Sequence, residues 1–110
     1  MLFSCNERGV NMIRGTTPTH TYTLPFDTAL IDKIKITYAQ NGVVVLTKEK
    51  ADCKIDGNAV TVKLSQEDTL KFDASRVQIQ IRVLTMGGDA IASDVKIISC
   101  SDVLEGGVLE

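Results

Sequence analysis

The 110-residue sequence has no tryptophan, a single histidine, two prolines and three cysteines, and each shortage closes off a class of function. With His20 as the sole histidine, most hydrolytic and metal-centred mechanisms lose the side chain that most often serves them as base or ligand. Nothing around His20 signals a Ser–His or Cys–His pair, so this residue, between Thr19 and Thr21, is expected to be a surface strand residue. Three phenylalanines and two tyrosines leave too few exposed rings for a saccharide-binding platform, and only Tyr22 and Tyr38 carry a polar tip.

Cys5, Cys53 and Cys100 are an odd set without C-x-x-C spacing, so neither a zinc knuckle nor a redox motif is present. Cys53 and Cys100 could face each other across a sandwich, but free thiols are the commoner state in a reducing cytosol and are the expectation here. No apolar run reaches the roughly 20 residues a membrane helix needs. Leu2 and Phe3 precede Asn6, Glu7 and Arg8, which is the wrong order and too short an apolar stretch for a secretory signal. A formal net charge of −2 with no basic cluster argues against nucleic acid as a partner. Lys33 and Lys35 alternate with Ile34 and Ile36, and Lys48 and Lys50 flank Glu49, so these cations read as solvated faces of strands.

What the chain does have is period-two alternation broken by turn chemistry, over a length that suits one domain with one core. The first strand is expected at residues 20–24, stopped by Pro25, which has no N–H for a ladder. Residues 31–39 form the second, and Asn41-Gly42 turns it into a third at 43–49, since a type I′ turn needs positive φ at both centres. Residues 53–55 and 60–64 form another hairpin about Asp56-Gly57-Asn58. Ser65 should cap one helical turn carrying Glu67 and Asp68 near its start, with Leu70 and Phe72 plugging the core beneath. Val77, Ile79, Ile81 and Val83 mark a central strand, Met86-Gly87-Gly88-Asp89 turns the chain, and residues 91–98 form the last strand.

The sequence therefore predicts an all-β fold, an immunoglobulin-like antiparallel sandwich of seven or eight strands with one short helical turn near Ser65–Leu70. The turn before a long strand matches the crossover of immunoglobulin-type domains, although the central Trp, the Cys pair and the tyrosine corner are missing. The sandwich is expected at residues 13–100, with a leader at 1–12 and a tail at 101–110. Met12 is a second candidate start, because Glu7-Arg8-Gly9-Val10 can be encoded by a purine-rich stretch of the ribosome-binding kind.

No residue stands out as catalytic, cofactor-binding or metal-ligating, and no cofactor is expected. Asp52 with Asp56, and Glu67 with Asp68, are carboxylate pairs in turns where such residues are ordinary. Asp56-Gly57-Asn58 is too short for a calcium loop, and Gly87-Gly88 lacks the spacing of a phosphate loop. The reading is therefore not an enzyme.

Residues 17–27 (TPTHTYTLPFD) with 34–42 (IKITYAQNG), 65–70 (SQEDTL) and 77–83 (VQIQIRV) resemble small uncharacterised prophage proteins of Gram-positive bacteria. The same stretches are faintly similar to the N-terminal β-sandwich of phage baseplate upper proteins. The resemblance carries no site residues. It implies a structural or adaptor module of a phage tail or baseplate, contacting other phage structural proteins, located in the virion or the bacterial host cytoplasm. The contact edges are expected at residues 19–24 and 91–98. The alternative is a ligand-binding module for cell-wall saccharide, built on the hairpin loops at Gly42, Gly57 and Gly87.

Overall fold

A computed structural model describes residues 2–3, 6–8 and 11–109 of the chain. Along it run β1 (Leu2–Phe3), β2 (Asn6–Arg8), β3 (Asn11–Ile13), β4 (Thr19–Thr23), β5 (Ile31–Gln40) and β6 (Val43–Glu49). These are followed by β7 (Cys53–Asp56), β8 (Ala59–Lys63), the helix α1 (Gln66–Leu70), β9 (Arg76–Thr85), β10 (Ala90–Ser93) and β11 (Lys96–Ser101). Short 3₁₀ turns at Thr28–Leu30 and Lys50–Asp52 lead into β5 and β7.

Two sheets result. In the larger, β9 lies between β5 on one side and β10 with β11 on the other, β6 pairs with β5, and β1 and β3 run parallel to β10 and β11. The smaller has the order β2-β4-β8-β7. The expected sandwich is thus present, and β4 to β11 supply eight strands. The segment before residue 13 adds three more, two to the larger sheet and one to the smaller, and Met12 is buried in the core.

Alternation decides which side chains the sheets bury. Ile34, Ile36 and Tyr38 of β5, and Val77, Ile79, Ile81 and Val83 of β9, face Tyr22, Val60 and Val62 of the smaller sheet in one core. Burying each such aliphatic side chain contributes roughly 1.5–3 kcal/mol. Leu24, Leu64 and Phe72 are buried at the ends.

Turns fix the register. Asn41 and Gly42 both adopt positive φ, 52° and 76°, so the two-residue loop joins β5 to β6 as a type I′ turn requires. Ser65 Oγ accepts from the Asp68 N–H at 3.0 Å while Asp68 Oδ2 accepts from the Ser65 N–H at 3.0 Å, a reciprocal cap that starts α1. Past the helix, the Gln40 side chain closes the crossover, donating to Asp73 O at 2.9 Å and accepting from Asp73 N at 2.8 Å.

Three expectations need correction. The last strand, expected as continuous over residues 91–98, is split at Asp94-Val95. Ser93 Oγ accepts from the Ile81 N–H at 2.9 Å and donates to Asp94 O at 2.8 Å, so a side chain takes the place of a ladder bond. Secondly, the edges expected at residues 19–24 and 91–98 are covered, β4 by β2 and β11 by β3. Among β4 to β11 the open edges are instead β6, which pairs with β5 alone, and β7, which pairs with β8 alone. Thirdly, Lys48 is not on a solvated face. Its ammonium sits 2.9 Å from Asp68 Oδ2, and both side chains are mostly buried.

Candidate functional site

His20 is placed where its sequence reading does not put it. It is fully buried, on the same face of β4 as Tyr22, because residues two apart share a face. Its Nδ1 lies 2.9 Å from the Tyr38 hydroxyl, and that hydroxyl lies 3.0 Å from the Tyr22 hydroxyl. The polar tips of both tyrosines therefore point inward, which removes them from any surface platform. Nε2 of His20 has no hydrogen-bond partner and is buried. Burial holds the imidazole pKa below its ordinary value of 6.5, favouring the neutral ring. This cluster has no opening to solvent for a substrate, and its chemistry is structural.

The carboxylate pairs likewise resolve into turn and cap roles. Asp52 Oδ2 accepts from the Glu49 N–H at 2.9 Å, and Asp68 serves α1 and Lys48. Burial raises the Asp68 carboxyl, but the Ser65 backbone N–H, the Lys48 ammonium and the Ser65 hydroxyl outweigh it and hold the pKa below the ordinary value. Cys53 and Cys100 are free thiols. Burial first, with Asp52 beside it, pushes the Cys53 thiol up to about 11, so it is a poor nucleophile. Cys5 lies outside the described residues. Among the described residues no three His, Cys, Asp or Glu side chains gather where they could hold a metal ion.

The three glycine loops do not converge. Gly57 O accepts from Thr28 N and Thr28 Oγ1, and Leu30 O accepts from Met86 N, so Gly57 and the Gly87 turn share one pole. Gly42 N donates to Gln78 Oε1 at the other end of β5, a strand of ten residues or roughly 33 Å. A saccharide bridging all three loops has no single surface to lie on.

What remains is the outer face and open edge of the larger sheet. At the tip of β6, Val43 and Val44 are 66% and 60% exposed, large for aliphatic side chains at a free edge. A bulge sets this up. Tyr38 pairs with Leu46 and Ala39 with Val44, which leaves Val45 as the extra residue and turns Val44 outward. A second bulge at Asp32, between the pairs Ile31–Thr85 and Lys33–Leu84, exposes two successive residues of β5. Beside it a groove of about 600 Å³ crosses β5, β9 and β10, with Lys50 and Ala51 at one wall. Lys33, Lys35 and Arg82 all line it, and Lys35 and Arg82 are direct cross-strand partners. The sequence gives the alternation of these lysines but not their register against Arg82, since pairing across strands is set by turns far from both.

The fold is that of an immunoglobulin- and fibronectin-III-like β-sandwich module. No family model and no curated protein matches the chain. Solved structures do match. Fibronectin(III)-like modules of Clostridium thermocellum CbhA align over 94% of this chain and 100% of theirs, with 10% identity and a TM-score of 0.52. An endo-beta-1,4-mannanase from Thermotoga petrophila aligns over 96% of this chain with 10% identity and a TM-score of 0.58, and an engineered protein over 93% with 14% identity and a TM-score of 0.55. The chain spans only 20% of each of these last two.

Proposed function

We propose that this chain is a non-enzymatic contact module, a structural or adaptor component of a phage tail or baseplate that binds other virion proteins through the larger sheet. The observation that supports this best is the open edge of β6, whose outward backbone groups have no strand to pair with among the described residues and whose tip carries exposed Val43 and Val44. An unpaired edge next to apolar surface is what strand addition by a partner uses. The phage setting is supported by the resemblance of residues 17–27, 34–42, 65–70 and 77–83 to prophage proteins.

Purified particles of the prophage that encodes the chain provide the test. Crosslinking followed by mass spectrometry should find it in the particle, with crosslinks from Lys33, Lys35 or Lys50 of the larger sheet's face to a tail or baseplate protein. A chain recovered only free in host cytoplasm, absent from particles, overturns the reading.

A further inference from the structure

We propose that the groove across β5, β9 and β10 binds an acidic, extended peptide segment of the partner protein. This rests on the contact-module reading and names the chemistry of the partner. Three observations converge. Lys35 and Arg82 stand directly opposite each other on adjacent strands, an arrangement in which like charges repel, and Lys33 lies two residues from Lys35 on the same strand. None of the three has an ion-pair partner among the described residues, although acidic residues outnumber basic ones in the chain. The bulge at Asp32 distorts the sheet at this place and no other part of β5–β9.

The carboxylates of the groove offset this charge only in part. Asp32 and Glu49 line it with Lys33, Lys35, Lys50 and Arg82, and Glu49 stands opposite Lys35 on β6 without forming an ion pair, so four cations face two anions. Lys50 is partly committed, since its ammonium donates to Ile31 O at 3.1 Å. Lys33, Lys35 and Arg82 are exposed and free to meet a ligand.

Spacing and lining select the class of anion. Cross-strand side chains stand about 5 Å apart and same-face residues along a strand about 7 Å apart, which matches carboxylates on every second residue of an extended peptide. Arg82 can take one carboxylate through two parallel N–H···O bonds, and the lysines take others as point charges. Leu84 and Ala90 supply an apolar floor for the side chains between them. The groove has no aromatic residue on which a sugar ring could stack. A chain of net charge −2 is also a poor match for a polyphosphate backbone.

The test uses the full chain and a fluorescein-labelled peptide of alternating glutamate and threonine. We expect saturable binding that weakens with salt, with amide shifts clustered at Lys33, Lys35, Arg82 and Ala90. Lys35→Glu should weaken binding about tenfold or more through like-charge repulsion. The same substitution should leave the melting temperature unchanged, because it makes the pair with Arg82 attractive and the pair with Glu49 on β6 repulsive. Lys63→Glu, on an exposed position of the other sheet, should bind as the parent does. Equal binding by Lys35→Glu, shifts located elsewhere, or equal affinity for sulfated polysaccharide overturns the inference. The two readings separate cleanly: particles that incorporate Lys35→Glu normally while the peptide no longer matters sink the groove, whereas a groove that binds the peptide in a chain absent from particles sinks the phage setting.

Discussion

Nδ1 of His20 and the hydroxyl of Tyr38 lie 2.9 Å apart in the centre of the sandwich, joining the smaller sheet to the larger by a polar contact inside an otherwise apolar core. The Tyr38 hydroxyl also lies 3.0 Å from that of Tyr22, so a single oxygen on β5 serves two side chains on β4. Tyr38→Phe removes that oxygen while keeping the ring, which packs edge-on against Phe72 at 6.1 Å. Because it takes the partner from the buried Nδ1 of His20, the substitution should cost about 1–3 kcal/mol, read as a lowered urea midpoint with unchanged slope.

The same histidine makes stability pH-dependent. Its folded pKa lies below 6.5 because it is buried, so the unfolded chain binds this proton more readily than the folded one. The contribution is complete above pH 6.5 and is lost as the pH falls from there toward the folded pKa. The histidine therefore adds no pH dependence above neutrality, and denaturation midpoints should decline below it. His20→Phe should flatten that part of the profile; an unchanged slope in the variant would show that another group is responsible.

Asn41-Gly42 and His20 show how far local sequence determines structure here. Asn41-Gly42 announces its hairpin because only positive φ satisfies that turn, a local matter. His20 is different: parity with Tyr22, two residues on, and Leu24, four residues on, turns it inward, against the exposure usual for histidine. Ser65 signalled its cap locally, but nothing local told that Asp68 would also meet Lys48, twenty positions earlier. Edges were the least legible. Whether 19–24 is covered depends on residues 6–8, which show no alternation of their own.

Lys48 and Asp68 supply a second stability test. Their ion pair is mostly buried and Asp68 also reciprocates the cap at Ser65. Asp68→Ala leaves the ammonium without its carboxylate and the cap half made, at a cost of about 2–4 kcal/mol. Since the folded pKa of Asp68 is depressed, its contribution is present above pH 3.8 and fades as the pH falls through the folded value. The Asp68 window opens below pH 3.8 and the histidine one below 6.5, so Asp68→Ala and His20→Phe should each remove a different part of the acid limb.

Gly42→Ala tests the hairpin that presents the β6 edge. Nothing lies within 4 Å of an added methyl, so the cost comes only from the positive φ of 76° and should be about 1 kcal/mol. A larger loss would mean that the Gln78 contact to the Gly42 N–H at 3.1 Å is also broken.

Cys53 should resist alkylation. With its thiol pushed up to about 11, roughly one molecule in ten thousand carries the thiolate at pH 7. Peptide mapping after iodoacetamide treatment should show Cys53 largely unmodified in the folded protein and fully modified in urea.

The parallel pairing of Leu2–Phe3 with Ala92–Ser93, and of Asn11–Ile13 with Ser99–Ser101, sets the polarity of the whole body. The first strand lies beside β10 and the last beside β3, and since β10 and β11 both run antiparallel to β9 the first and last strands point the same way, entering at one pole and leaving at the other. Sequence joined ahead of the first strand and behind the last would therefore leave from opposite ends, the rear one past α1, where Gln66 holds Leu109 through two hydrogen bonds. Such a body can be set in a line with other bodies without turning the chain back, and the face that carries Lys35 and Arg82 stays clear at the side.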